Sequence, residues 1–354
     1  MNKDATPLDD QIWLTGLLRD EDMLRTRSQR LNYWNTLLHY GLEEARRVRS
    51  IKDVRILCEK AAYLYRRMRG NPAFVGSIPP GIQVEPTNYC NARCICCPTS
   101  RSTRKRGFME LSLFQRIVDD AQWNGIKIVH LYLHGEPLLH PKIVAMIEYI
   151  KRKGLAVHLI TNGMLLSRGM ALGILKAGVD LADHFTFSIL GSSKEVHEQV
   201  MGRVGHERVL ENLDTLLKLR RDMRLSGPII ETTFYPMPEN QHEAAGYLNT
   251  FKGYVDHARL APQISRSFAN LNSGRDVSLS IRRKPCAQLQ ERLTVFWNGD
   301  VTICHQDLNG ESVFGNLGHQ SLQEVCGNHN LLHVQKMHST RQFEKIHSCS
   351  KCDM

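Results

Sequence analysis

No apolar run in this chain approaches the ~20 residues that a membrane-spanning helix needs. The opening stretch, MNKDATPLDD, has no apolar core of the kind an export signal carries, so a cytoplasmic location is expected. The sixteen histidines form no HExxH pair, and neither a Walker loop nor a GxGxxG turn is present. Those absences exclude the common zinc-hydrolase and nucleotide-phosphate devices. No internal repeat and no low-complexity segment occurs. The net charge is +10, but the basic residues are spread along the chain rather than held in one block. The charge fits an anionic substrate, nucleic acid or an acidic partner, of which nucleic acid is not expected. What the chain does have is ten cysteines without a secretory signal, which argues for metal or catalytic thiols over disulfides.

The 354 residues are enough for one large core plus appendages. Residues 8–70 read as two or three helices, from apolar steps of three and four in LLHYGLEEARRVRS and DVRILCEKAAYLYRRMRG. Gly70-Asn71-Pro72 and Pro79-Pro80-Gly81 break that pattern. From Gly81 the strands GIQVEP, KIVHLYLHG, LAVHLITNG, HFTFSIL, PIIETTFYP and VDHARLAP alternate with helical patterns near 111–123, 141–153, 165–177 and 206–224, and more weakly 239–252. Such alternation means parallel strands with crossover helices, as a partial barrel or an open sheet. In either, functional loops lie at the carboxyl ends of the strands. A third region holds Cys286, a hairpin RLTVFWNGDVTIC turning at Asn298-Gly299-Asp300, a helix near 321–337, and Cys349 and Cys352.

Directly after the first strand, C-N-A-R-C-I-C-C places Cys90, Cys94 and Cys97 in one short loop. Thiolates that close together suit an iron–sulfur cluster, and three of them leave one iron open. His134-Gly135-Glu136-Pro137 follows strand 2, Thr161-Asn162-Gly163 follows strand 3, and Ser188-Ile189-Leu190-Gly191 ends strand 4. In that order the motifs resemble the radical S-adenosylmethionine superfamily over roughly residues 81–354. The resemblance implies that Cys90, Cys94 and Cys97 bind a 4Fe–4S cluster whose fourth iron chelates S-adenosylmethionine. It implies one-electron cleavage of that cofactor to a 5′-deoxyadenosyl radical. His134, Gly135 and Glu136 match the family's Gly-Gly-Glu position at the cofactor's ammonium group, with Asn162 and Ser188 near its ribose and carboxylate. The family's usual Arg is absent at Met201-Gly202, and Arg203 could supply the same charge. Cys96 stands where relatives carry an aromatic residue and is expected to pack as a small apolar group.

Cys286, Cys304, Cys349 and Cys352 are four further thiols, enough to saturate a second 4Fe–4S cluster. They resemble the one-cluster Twitch form of the SPASM auxiliary domain, down to GNL and SLQEV after the hairpin. A structural zinc site is the alternative for either cysteine group. Cys326, on the helix between these ligands, is either packing or a thiol that returns a hydrogen atom to a substrate radical. Cys58 reads as core. Arg101, Arg104, Lys105 and Arg106 read as a solvated basic loop, with docking of an electron donor such as flavodoxin as the alternative.

The expected fold is α/β, a partial (β/α)6 TIM-like barrel. Its expected domains are a helical extension over 1–78, the barrel over 79–262 and an auxiliary iron–sulfur domain over 263–354. The resemblance implies two 4Fe–4S clusters and S-adenosylmethionine as cofactors. It points to dehydrogenation of an alcohol carbon in a sugar, aminocyclitol or nucleoside-like small molecule, as in antibiotic biosynthesis. Arg259, Gln263 and Arg266 would hold polar substrate groups, with Arg266 stabilising an alkoxide. Competing readings are a sugar epimerase using Cys326, a peptide-modifying enzyme, and a non-enzymatic helical adaptor with structural metal.

Overall fold

The computed structural model describes residues 42, 44–68, 75–261, 286–350 and 352. The expected helices before residue 42, the Gly70-Asn71-Pro72 break, the boundary near 262, and Gln263 and Arg266 lie outside the described residues. Within them, α1 (Ile51–Met68) precedes β1 (Gly81–Val84), α2 (Leu111–Trp123), β2 (Ile128–Leu131), α3 (Ile143–Arg152), β3 (Ala156–Thr161), α4 (Arg168–Lys176) and β4 (His184–Ser188). Then come α5 (Lys194–Met201), α6 (His206–Asp222), β5 (Ile229–Phe234), α7 (Ala244–Phe251) and β6 (His257–Leu260). The C-terminal region adds α8 (Ala287–Glu291), β7 (Arg292–Val295), β8 (Asp300–Thr302), β9 (Val313–Asn316), α9 (Leu322–Cys326), α10 (His329–Ser339) and α11 (His347–Ser350).

Strands β1 to β6 are all parallel and neighbour one another in sequence order, as crossover helices require. This is the partial barrel expected from the strand–helix alternation. Period-2 alternation sorts the side chains. Ile82, Val84, Val129, Leu131, Val157 and Leu159 join the apolar core with Phe114, Ile117, Val118 and Ala121 of α2. On β5, Phe234 faces Tyr247 of α7, with ring centroids 4.9 Å apart, so Glu231 and Thr233 face the barrel interior. The interior is polar. His130 and His158 sit side by side on β2 and β3, their Nδ1 atoms 3.2 Å apart, and Thr186 of β4 meets His158 Nε2 at 3.1 Å.

Two features depart from the sequence expectation. The hairpin β7–β8 does not stand apart: β7 pairs in parallel with β1, Val84 opposite Val295, and extends the sheet to nine strands in the order β6-β5-β4-β3-β2-β1-β7-β8-β9. The helix expected near 321–337 is two, because Gly327 ends α9 and the Asn328 side chain caps α10. Helix α1 lies at the amino end of the barrel, where Lys60 donates to the Leu181 carbonyl and Ser226 Oγ donates to Asp53. Cys58 on α1 is exposed rather than core. No helix among the described residues is long and apolar enough to cross a membrane.

Candidate active site and auxiliary cysteine centre

The cysteine loop is held from three sides. The last carbonyls of α5 have no intrahelical donor, and the loop supplies donors: Arg93 N–H bonds Met201 and Gly202 oxygens at 3.1 and 3.0 Å, and Ile95 N–H bonds Val200 O at 2.9 Å. From β2, Glu136 N–H bonds Tyr89 O at 2.8 Å. Gly135 lies so close to the incoming backbone that a Cβ there would fall 2.1 Å from Thr87 O. From β3, Asn162 Nδ2 donates to Asn91 Oδ1 at 2.8 Å.

Within that frame Cys90, Cys94, Cys96 and Cys97 share one site. Burial, opposed by a backbone N–H and reinforced by the charge of neighbouring groups, pushes the Cys90 thiol up to about 11. Cys96 is pushed up to about 12 by burial and by Cys97. Cys94 is pushed up by burial and by the same cluster of sulfurs. Such thiols become thiolates only when a cation arrives to balance them, and iron does that. Cys96 packs against the apolar core, as its small apolar character predicts.

Glu136 is buried, and its carboxylate ties strand ends together. It accepts from Thr161 Oγ1 at 2.6 Å, Asn162 N–H at 2.8 Å and Leu138 N–H at 3.0 Å. Burial outweighs those bonds and raises its pKa. Of roughly four lone-pair sites on a carboxylate, three are taken, leaving one for a ligand. The Asn91 Nδ2 donor is buried without a protein partner, as a site awaiting an acceptor would leave it. Ser188 is half-buried at the end of β4. Arg203 is exposed with φ 64°, just past the α5 carbonyls that hold the cysteine loop.

His134 takes a different place from the one expected. Its ring turns to the C-terminal region, where Nε2 meets His305 O at 2.8 Å. Arg104 can only donate, so its 3.2 Å contact makes His134 Nδ1 the acceptor and leaves the ring proton on Nε2. Arg104 in turn forks onto Glu85, at 2.8 and 2.7 Å, and stacks 3.7 Å from the Phe296 ring centroid. Arg104 is thus a clamp, its side chain 10% exposed, and no part of a solvated docking face. Arg101, Lys105 and Arg106 remain exposed. The sequence signal that could have found this clamp is Glu85, an acidic residue at the tip of a buried strand.

Cys286, Cys304, Cys349 and Cys352 line one small cavity together with Gln288 and His338. Burial and the three neighbouring thiols push Cys304 well above the ordinary thiol range. Among the described residues, no three His, Cys, Asp or Glu side chains converge as a single metal ion requires. Tetrahedral zinc at ~2.3 Å from sulfur would need sulfurs about 3.8 Å apart. A multi-iron cluster spreads its ligands wider, and four thiols around one cavity are the donor set such a cluster takes. The Gln288 Oε1 atom is buried in this cavity wall with no protein partner.

Cys326 is buried against the outer face of the barrel. Asp120 of α2 accepts from Leu322 N–H at 2.6 Å, and burial together with the Asp120 charge pushes the Cys326 thiol up to about 11. Helix α9 packs on β9 and α10, and its bond to Asp120 sets Cys326 beside the crossover helix α2. Arg259 of β6 does face the interior, where its Nε donates to Glu231 at 3.0 Å. Tyr235, after β5, feels the charges of Arg259, Glu231 and Cys96.

A partial barrel with three clustered thiols at its first strand end, joined to a four-cysteine cavity, defines a class of cluster-bearing radical enzyme. The chain belongs to the radical SAM superfamily, whose model matches residues 84–243, and carries a SPASM iron–sulfur cluster-binding domain over residues 286–353. It is 30% identical over 171 residues to the tungsten-containing aldehyde ferredoxin oxidoreductase cofactor-modifying protein of Pyrococcus furiosus, which covers 47% of each chain. It is 29% identical over 145 residues to the PqqA peptide cyclase of Rhodopseudomonas palustris, covering 40% of this chain and 37% of the relative. The chain thus spans less than half the length of these curated relatives. Its fold is similar to that of BtrN, solved with AdoMet and 2-DOIA, at TM-score 0.55 and 19% identity over 78% of this chain and 94% of that one. It is also similar to Streptococcus suis SuiB bound to S-adenosylmethionine, at TM-score 0.51 and 15% identity over 91% and 81% of the two chains.

Proposed function

We propose that this radical SAM enzyme dehydrogenates an alcohol carbon of a polar small molecule, of the sugar, aminocyclitol or nucleoside-like kind. The observation that carries this reading is the polar barrel interior beneath the cysteine loop. Arg259 is only 15% exposed and paired with Glu231. Arg292 Nη1 donates to Tyr132 Oη at 2.6 Å. Such groups are costly to bury and match a substrate rich in hydroxyls better than an apolar one.

Cys90, Cys94 and Cys97 would hold the first cluster, with Glu136, Asn162, Ser188 and Arg203 toward S-adenosylmethionine; Cys286, Cys304, Cys349 and Cys352 would hold a single auxiliary cluster. When bound, these groups supply hydrogen-atom abstraction and a one-electron acceptor, at potentials that in such clusters span roughly −700 to +450 mV. The chain's own residues do the rest. Arg259 orients substrate oxygens and stabilises negative charge as a hydroxyl proton leaves. Glu231 keeps Arg259 charged and in place. Arg266 is proposed for the same alkoxide and Gln263 for binding. Burial drives His130 and His158 toward the neutral form, His158 down to about 3, so the interior histidines accept hydrogen bonds without adding charge. Arg101, Lys105 and Arg106 offer the exposed positive charge that an acidic electron donor such as flavodoxin would meet.

The test is anaerobic reconstitution with S-adenosylmethionine and reductant. Release of 5′-deoxyadenosine is expected, and replacing Cys90, Cys94 and Cys97 together should abolish it; survival of cleavage sinks the assignment. A second reading, peptide modification, is favoured by the likeness to PqqA peptide cyclases. Oxidised polyol product supports the first reading, and cross-linked peptide supports the second. An epimerase would carry solvent deuterium into its product, with Cys326 as the proposed hydrogen donor.

A further inference from the structure

We propose that His338 sets the reduction potential of the auxiliary centre by donating a hydrogen bond to the Cys349 sulfur, an inference that rests on the four C-terminal cysteines holding a cluster. His338 is fully buried on α10. Its ring lies between two of the four cysteines that are 63 residues apart in sequence, Cys286 and Cys349. The Cys286 backbone N–H donates to His338 Nδ1 at 3.4 Å. A neutral imidazole carries one proton, so that contact places it on Nε2. Nε2 then donates to Cys349 Sγ, 3.3 Å away. Phe343, edge-on at 5.0 Å, packs against the ring and helps hold its orientation.

The sign of the effect follows from charge. Reduction adds an electron that spreads onto the thiolate sulfurs. A donor aimed at one of them stabilises the more negative state and raises the potential. Burial strengthens the effect, since little water screens it. Gln306 N–H reaches Cys304 Sγ at 3.3 Å and acts in the same direction. A raised potential makes the centre a better acceptor, as the dehydrogenation reading needs.

The experiment is an EPR-monitored redox titration of the reconstituted full-length protein. His338→Phe keeps an aromatic ring against Phe343 and removes the donor. We expect at least a tenfold shift of the one-electron equilibrium toward the oxidised auxiliary cluster, about 59 mV lower, with the S-adenosylmethionine-binding cluster unmoved. His338→Gln, which retains an N–H, should recover most of that shift. A fully loaded His338→Phe protein that titrates like the wild type overturns the proposal. Should that variant not load, wild-type protein labelled with ¹⁵N-histidine decides: coupling of one imidazole nitrogen to the reduced auxiliary cluster supports the proposal, and none overturns it. Wild-type protein with no second cluster overturns this inference and the functional reading together. An unmoved potential in an active dehydrogenase overturns this inference alone.

Discussion

Glu85, Arg104 and His134 show how much one residue can carry. Glu85 has no solvent exposure, and its charge is tolerable only because Arg104 forks onto it and the Trp297 N–H reaches Oε2 at 3.2 Å. Arg104→Leu leaves that charge buried and unmatched. A loss of about 3–5 kcal/mol is expected from urea denaturation. Acid should expose the same pair. Burial pushes the Glu85 carboxyl up, but the Arg104 fork outweighs it and holds it below its ordinary value of 4.5. A carboxyl depressed in the folded state stabilises the fold above its unfolded value, and that contribution fades as pH falls through the folded one. The wild type should therefore lose stability steeply below about pH 4.5, and Glu85→Gln should flatten that limb in a pH series of melts. None of this was legible in the run of basic residues around Arg104, since a charge run reads alike whether solvated or clamped.

At the scale of elements, the cysteine loop is shaped by its neighbours more than by its own residues. The end of α5 supplies carbonyls, and the HGEP turn lies against the backbone before Cys90. Gly135→Ala would push that backbone off its place, because 2.1 Å from a Cβ to the Thr87 oxygen is far inside contact distance. Iron analysis should then show the first centre lost and the second kept, about four irons in place of about eight. The strands and four strong crossover helices were legible, because their periodicity is local. Helix α5 was not, being eight residues long with charged and polar residues on its outer face. Its local signals are the Ser193 cap, whose hydroxyl accepts from Val196 N–H, and Gly202 at its end with φ 45°.

Over the whole molecule, β7 joins the two cysteine groups into one sheet. Beside it runs a chain of contacts: Cys97 Sγ to Thr99 Oγ1 at 3.1 Å, Thr99 Oγ1 to His134 O at 2.8 Å, and His134 Nε2 to His305 O, next to Cys304. The two cysteine loops are therefore mechanically linked. Anaerobic reconstitution should give about eight irons per chain, two clusters of four. A value near four removes the auxiliary site.

The sequence by itself determined the parallel strand–helix alternation, both cysteine sets and the placement of the first at a strand's carboxyl end. These depend on spacing and period, which are properties of adjacent residues. Only the tertiary structure decided that Arg104 is clamped on Glu85, that Cys326 is buried near Asp120 of α2, that His134 turns toward His305, and that His338 reaches Cys349. Each of those depends on partners brought close from distant parts of the chain, and burial and hydrogen bonding, unlike periodicity, are settled by whichever group arrives opposite.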